Sequence, residues 1–230
     1  MDQSCLKQGE RLDDLQLEGL RIIQKTDGFC FGIDAVLLSD YIRVEKNARI
    51  ADLGTGTGIL PILLSAKTKA AEIIGIEIQS EIAEMAKRSV VYNHLEDKVH
   101  IREGNLLEAV DWFGSRSFDA VVTNPPYTKA GGGLVNPKDM KAIARHEIFC
   151  TLEQIISVSS RLLKPYGRFF MIHKPDRLVD IFCFMRRERI EPKTIRLVHP
   201  SRRKPSNLVL IHGLKCGNPQ VTVEEPLYVY

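Results

Sequence analysis

"RIADLGTGTGILPILLSAKT", residues 49–68, decides the fold. A short apolar run enters three glycines, Gly54, Gly56 and Gly58, and leaves as a stretch with helical spacing. A strand that turns through glycine into a helix N-terminus is the opening unit of a doubly wound α/β sheet. Pro61 falls in the first helical turn, where a missing N–H costs little. Further along, "EIIGIEI" (72–78), "KVHIREG" (98–104) and "FDAVVTN" (118–124) are rich in Ile and Val and nearly continuously apolar. Runs of that kind predict buried parallel strands. Between them, "SEIAEMAKRSVVYNH" is predicted as a helix N-capped by Ser80, with Ile82, Ala86 and Val90 on one face.

The second half repeats the alternation. Thr151 and Gln154 have capping-box spacing ahead of "LEQIISVSSRLLK". "PYG" is expected to stop that helix before the strand "RFFMIH" (168–173). Asp176 is expected to cap "RLVDIFCFMRRERI", whose last turn gathers arginines at the negative end of the helix dipole. "TIRLVH" (194–199) and "LVLIHGLK" (208–215) read as two further strands. Ahead of the sheet, "LRIIQ" suggests a small strand, and "DAVLLSDYI" a helix capped by Asp34 and packed on the sheet.

The bulk numbers fit this picture. The 230 residues are 44% hydrophobic and 27% charged, which suits one soluble domain with a large core. No long uncharged apolar run suggests a membrane span, and the polar N-terminus lacks a signal-peptide core. Five scattered cysteines form no C-x-x-C pair, and six histidines show no metal spacing. Reduced thiols in a cytoplasm, and no metal, are the expectation. Net charge is only +3, but residues 186–204 hold eight Lys/Arg against two Glu. Such a run is either a solvated face or a phosphate-binding surface.

The glycines follow an i, i+2, i+4 pattern. A dinucleotide fingerprint would need glycine at position 59, where Ile59 stands. A pyrophosphate needs the open helix N-terminus, whereas S-adenosylmethionine (SAM) can lay its methionine arm over a tighter turn. Asp52 would attract that arm's ammonium group. Glu77, at the end of the next strand, can accept ribose hydroxyls. Asn105, after Gly104, can meet the adenine amino group. The alternative is a tight turn with no ligand.

"TNPPYTKAGGG" (123–133) follows the fourth strand. Proline holds the residue before it extended, and neither Pro125 nor Pro126 can donate a hydrogen bond. The Asn124 side-chain oxygen and the Pro125 carbonyl can therefore both accept from one incoming NH₂ group. Such a pair favours pyramidalisation of a delocalised amine and returns electron density to nitrogen. Tyr127 can stack on a flat base. Gly131, Gly132 and Gly133 suit either a lid or a plain linker.

Together these residues resemble the class I SAM-dependent methyltransferases, and within them the bacterial tRNA1(Val) adenine-N6 methyltransferases, which modify the adenine 3′ of the anticodon. The resemblance extends to "FCFGIDAVLLSDY" (29–41), the Arg-His-Glu of 145–147, "HKPDRL" (173–178), the His-Pro of 199–200 and "EEPLYVY" at the end. It implies a Rossmann-like α/β fold with a seven-stranded, mostly parallel sheet flanked by helices. Residues 1–230 would form a single domain, with 1–45 as an extension packed on the sheet. Asp52, Gly54, Thr55, Gly56, Gly58, Glu77, Ile78, Asn105 and Leu106 would bind SAM, with Asn124 at the edge of that set. Asn105 stands where many relatives carry aspartate. Asn124, Pro125 and Tyr127 would hold the adenine, bordered by Phe31 and Asp34. Lys129, Arg145, Arg202, Arg203 and Lys204 would meet the RNA. The expected protein is a cytoplasmic, monomeric N-methyltransferase, and relatives are expected to run on beyond Tyr230.

Three rivals remain. Release-factor glutamine methyltransferases share N-P-P-Y but carry a helical domain ahead of the glycine turn, for which fewer than fifty residues are too few. Ribosomal guanine-N2 methyltransferases favour N-P-P-F and often a duplicated domain. A SAM-fold module without catalysis would have no need of intact acceptors at 124–125.

Overall fold

The N-terminal residues form an antiparallel hairpin of Glu10–Asp14 (β1) and Arg21–Lys25 (β2). Only its second strand was legible as an apolar run, because β1 is "ERLDD". The computed structural model describes residues 5–26, 32–127 and 150–230. Phe31, Gly131, Gly132, Gly133, Lys129 and Arg145 lie outside the described residues. The chain divides into two compact units, 1–106 and 107–230.

In the first unit, Ile33–Tyr41 forms α1, Arg49–Leu53 β3 and Ile59–Lys67 α2. Glu72–Glu77 (β4), Ser80–Tyr92 (α3) and Val99–Glu103 (β5) follow. The strands pair in parallel in the order β3-β4-β5. Ile50, Ala51, Leu53, Ile73, Ile74 and Ile76 are buried, as strands covered on both faces require. β5 is different: of its residues only Val99 is buried, and His100, Arg102 and Glu103 are exposed.

Two of the caps expected in this unit are absent. Gly32 precedes α1 without a side-chain cap, and Asp34 lies inside the first turn, where its charge still suits the helix dipole. Ser80 is the first residue of α3 rather than its cap, and its hydroxyl instead donates to Glu103. α1 packs against α2. Lys67 at the end of α2 donates to Ser39 and to Asp40, which lie at the end of α1. The two helices thus run in the same sense, and Asp34 and Gly58 share their N-terminal end.

The hairpin docks on α3 through polar contacts. Ser89 accepts from the Ile23 N–H at 3.0 Å, and Asn93 both accepts from and donates to the Arg21 backbone at 2.8 and 2.7 Å. Arg88 makes a two-pronged pair with Glu10 at 2.7 Å and bridges to Glu84. Arg88 holds both carboxyls below the usual glutamate range.

The second unit contains Ala109–Phe113 (α4), Phe118–Thr123 (β6), Leu152–Leu162 (α5) and Leu163–His173 (β7). Leu178–Arg187 (α6), Ile190–His199 (β8), Leu208–Lys215 (β9), Thr222–Val223 (β10) and Leu227–Tyr228 (β11) complete it. Its strand order is β10-β8-β9-β7-β6, with β11 also on β8. β6 and β7 are parallel, while β9 runs antiparallel to both β7 and β8. With the three parallel strands of the first unit, seven strands of five or more residues are described outside the hairpin. This is a mixed α/β fold with a mostly parallel sheet and flanking helices.

The capping box at Thr151 and Gln154 is present, with bonds of 3.2 and 2.8 Å. "PYG" does not simply stop the helix. Pairing resumes at Leu163, and the register jumps from Phe118↔Leu163 to Ala120↔Arg168, so Pro165, Tyr166 and Gly167 bulge out of β7. Asp176 caps nothing: Pro175–Arg177 forms a 3-10 turn that leads into α6. β8 begins four residues before the predicted strand and takes in Pro192, beside a register shift where a missing N–H is tolerated. α6 seals one face of β9 by setting Met185 over Gly213, where a Cβ would meet Met185 Cε at 2.4 Å.

Candidate active site

The glycine turn is clamped from below by β4. The Gly54 and Thr55 N–H groups both donate to the Ile76 carbonyl, at 3.0 and 2.9 Å. This close approach needs Gly75, because a Cβ there would stand 2.7 Å from Thr55 Oγ1. Gly54 and Gly56 have positive φ, and a Cβ on either would enter open space. Both features describe a turn whose upper surface is bare backbone. Gly58, at φ +85, starts α2 with its N–H donated to Thr55.

Glu77 braces this turn. It is 1% exposed, and its Oε2 accepts from Gly56 N–H at 3.0 Å. Oε1 accepts from the Gln79 N–H at 2.9 Å. Its backbone carbonyl receives Gly104 N–H, which brings the β5 end with half-buried Asn105 and Leu106 beside it. A carboxylate offers about four lone-pair positions, so it retains capacity for hydroxyl donors. Ile78, half-buried, follows directly. Asp52, Gly54, Thr55, Gly56, Gly58, Glu77, Ile78, Asn105 and Leu106 therefore gather at the C-terminal ends of β3, β4 and β5, where ligands bind in such sheets.

Asp52 is the anomaly in this cluster. It is 0% exposed, and neither carboxylate oxygen has a hydrogen-bond partner. The Thr55 hydroxyl is likewise buried without one. Burial raises the Asp52 pKa to about 7; nearby Thr55 offsets part of that rise, without hydrogen-bond geometry, and the Glu77 charge adds to it. A buried carboxyl without partners is costly, and a positively charged ligand group is what would relieve it. The chemistry of the turn thus fits an ammonium-bearing ligand laid over bare glycine backbone.

In the second unit, β6 ends at Thr123 and the chain turns through Asn124, Pro125, Pro126 and Tyr127. Asn124 Oδ1 accepts from the Tyr127 hydroxyl at 2.6 Å. The side-chain amide is therefore already oriented with its oxygen toward the aromatic ring. Tyr127 in turn meets His173 edge-on, with ring centroids 5.3 Å apart. His173 ends β7 and is 2% exposed. Its Nδ1 lies 2.8 Å from the Lys174 backbone nitrogen and 3.3 Å from the Lys174 carbonyl oxygen, so the backbone holds the ring in place. Burial pushes its pKa below the usual histidine value. His173 was missed as a site residue, although a histidine closing a strand at the sheet's C-terminal edge was the available signal.

The basic run divides. β8 spans ten residues, roughly 30 Å at 3.3 Å per residue. Arg186, Arg187 and Arg189 precede it, while Arg202, Arg203 and Lys204 follow it. Arg187 pairs with Glu153 and Arg186 with Glu191, as a solvated face does. The second group is placed differently. Val209 pairs with His173, so the loop 200–207 leaves the sheet at the same end as the Asn124 turn. His199 Nδ1 lies 2.9 Å from the Lys204 carbonyl, and Arg202 lies over the Tyr228 ring at 5.7 Å. All three cations are exposed.

Among the described residues no group of His, Cys, Asp and Glu is arranged to hold a metal ion. No helix among them is long and apolar enough to cross a membrane.

Residues 31–177 match the methyltransferase small domain family. Two curated relatives are called tRNA1(Val) (adenine(37)-N6)-methyltransferase. One, from Porphyromonas gingivalis, is 34% identical over 173 residues, covering 73% of this chain and 64% of the relative. The other, from Dyadobacter fermentans, is 28% identical over 200 residues, covering 86% and 80%. Against the first, the chain spans less than two thirds of the relative's length. Among solved structures, a predicted O-methyltransferase from Agrobacterium tumefaciens superposes with a TM-score of 0.70 at 22% identity, covering 86% of this chain and 88% of the other. A geranyl diphosphate C-methyltransferase from Streptomyces coelicolor, solved with S-adenosyl-L-homocysteine, superposes at 0.59 and 16%, covering 79% and 76%. These two likenesses concern the fold.

Proposed function

The chain belongs to the methyltransferase small domain family, and on that premise we propose that it methylates the exocyclic N6 of an adenine in tRNA, the adenine 3′ of the anticodon of a valine tRNA. The observation that carries this reading is Asn124, whose side-chain oxygen accepts from the Tyr127 hydroxyl just past the end of a parallel strand. Relatives named for adenine-N6 methylation of tRNA1(Val) support the choice of base and RNA.

S-adenosylmethionine, bound over Gly54 and Gly56, would supply an electrophilic methyl group. Asp52 would hold its ammonium group, Glu77 its ribose hydroxyls, and Ile78, Asn105 and Leu106 its adenine. Asn124 Oδ1 and the Pro125 carbonyl accept the two N6 hydrogens of the target. Their pull makes the nitrogen pyramidal and frees its lone pair. Tyr127 stacks on the target ring and fixes the approach, and His173 supports Tyr127 from its edge. Methyl transfer to that nitrogen would exchange the sulfur–methyl bond of the cofactor for the new N–C bond, and the nitrogen would then release one proton to water. Positioning and fixed dipoles carry the rate, and no strong base is required. To admit the amine, the Tyr127 hydroxyl must leave Asn124 Oδ1.

Arg202, Arg203 and Lys204 meet RNA phosphates beside this turn. We read the protein as a cytoplasmic monomer. The test is methyl transfer from isotope-labelled SAM to tRNA from cells lacking the protein, followed by nucleoside digestion. Label in N6-methyladenosine is expected. Label in N2-methylguanosine would replace this reading with the guanine one. Label only in release-factor protein would replace it with the amide one, and no label anywhere would leave a binding module.

A further inference from the structure

A second polar site lies on the second unit, away from the Asn124 turn. A cavity of about 460 Å³ is lined by Arg168 of β7, His212 and Leu214 of β9, Lys193 and Thr194 of β8, and Gln220 and Thr222 at β10. The pairings Arg168↔Leu214, His212↔Thr194 and Thr194↔Thr222 set these residues side by side across four strands. Two cations, two hydroxyls, an amide and an imidazole line it, and no carboxylate does.

His212 supplies an independent sign. Its Nε2 is buried and has no hydrogen-bond partner. Its ring is fixed by stacking on Phe170, with centroids 4.8 Å apart and planes 18° apart. Burial, Arg168 and Lys193 together hold its pKa down at about 4, so both cations stand close enough for the ring to feel them. Lys193 is tethered by donating to the Asn218 carbonyl at 3.1 Å. Two cations and an unsatisfied ring nitrogen lining one cavity that has no carboxylate favour an anionic ligand.

We propose that this cavity binds a phosphate of the RNA backbone and forms a second anchoring point for the substrate. Its phosphate oxygens accept from Arg168, Lys193, Thr194 and Thr222, beside the His212 ring. Arg168 precedes His173 by five residues along β7, which places the cavity roughly 17 Å from the catalytic end of that strand. A contact at that distance sets the register of the RNA arm and reads no base. This inference rests on the tRNA reading above.

The experiment has two arms. In the first, binding of the tRNA anticodon arm is measured against salt for the wild-type protein, Lys193→Gln and Lys46→Gln, an exposed lysine of the first unit. Lys193→Gln is expected to weaken binding about tenfold at 0.1 M salt and to lower the slope of log K against log salt by about 0.7–0.9, one phosphate contact. KM for RNA rises with it, while kcat and SAM affinity do not change. Lys46→Gln leaves the slope as it was. In the second arm, the His212 ring Cε1–H resonance of the wild-type protein is followed by NMR with the anticodon arm, then with inorganic phosphate. The RNA is expected to shift it. A His212 shift with inorganic phosphate, combined with an unchanged RNA slope in Lys193→Gln, would overturn the proposal in favour of a free-anion site. No His212 shift with bound RNA would overturn it as well. If the wild-type protein binds no RNA at all, the tRNA reading fails with it. RNA that is bound and methylated with an unaltered Lys193→Gln slope defeats the cavity alone.

Discussion

Replacing Asp52 by asparagine should raise stability and lower cofactor affinity together. The carboxyl is fully buried, has no hydrogen-bond partner and carries a pKa raised from 3.8 to about 7. Below pH 3.8 the group is protonated in both the folded and the unfolded chain, and ionisation costs nothing. Between 3.8 and about 7 the unfolded chain ionises while the folded one keeps its proton, so stability falls as pH rises. Above 7 the full difference applies, about 4 kcal/mol at 1.36 kcal/mol per pH unit. Asparagine never ionises. Asp52→Asn should therefore be the more stable protein at pH 8, by up to about 4 kcal/mol, and the advantage should vanish toward pH 4. For SAM the order reverses. Only the ionised carboxylate pairs with the ligand's ammonium group, so wild-type affinity should drop about 15-fold from pH 7 to pH 5.5. That range keeps the ligand's own amino group charged. The variant should bind about 10- to 100-fold more weakly at pH 7, with little dependence on pH. Thermal unfolding of the ligand-free proteins at pH 4 and 8, with calorimetric SAM titrations at pH 5.5 and 7, measures both effects. A variant less stable than wild type at pH 8, or a wild-type affinity flat across the range, would refute the reasoning.

Four further outcomes follow from the structure. Tyr127→Phe removes the bond to Asn124 but keeps the ring, so stability should fall by only about 1 kcal/mol and methyl transfer should stay within a few-fold of wild type. Tyr127→Ala should raise KM for RNA about 10- to 100-fold through lost stacking, in steady-state kinetics. Arg202→Glu with Arg203→Glu should weaken RNA binding in gel-shift titrations and leave SAM affinity unchanged; lost SAM binding would remove the loop from the RNA-binding role. Arg88→Gln should destabilise the protein by about 2 kcal/mol in denaturant unfolding at pH 7, since it removes the ion pair from Glu10 and leaves that carboxylate the Lys7 N–H. Because Arg88 holds Glu10 and Glu84 below the usual glutamate value of 4.5, that loss should shrink as the pH falls below 4.5.

The central strands were legible because burial on both faces leaves an unbroken apolar run, as in "RIADL" and "EIIGIEI". β1 was not, because "ERLDD" is held by backbone pairing with β2 and by the Arg88 ion pair, neither of which has a local pattern. The capping box at Thr151 was readable because both partners sit three residues apart. Ser80 and Asp176 misled because each has a cap's chemistry but not its position in the turn. Glu77 was expected to meet a ligand, yet it also bonds Gly56, a contact between strand and turn that spacing cannot display. His173 meets the site through Tyr127, across two strands. The basic run of 186–204 was read as one strip because β8, which carries its two ends roughly 30 Å apart, was predicted too short.

The central claim is that the Asn124 turn acts on the transferring nitrogen rather than merely holding a ligand. Its most direct test is a single-turnover rate of methyl transfer to the anticodon arm, wild type against Asn124→Ala, with SAM and RNA both saturating. We predict a rate lower by about 10²–10³-fold in the variant, with both dissociation constants within about threefold of wild type. A variant that transfers methyl groups within threefold of the wild-type rate would contradict the account.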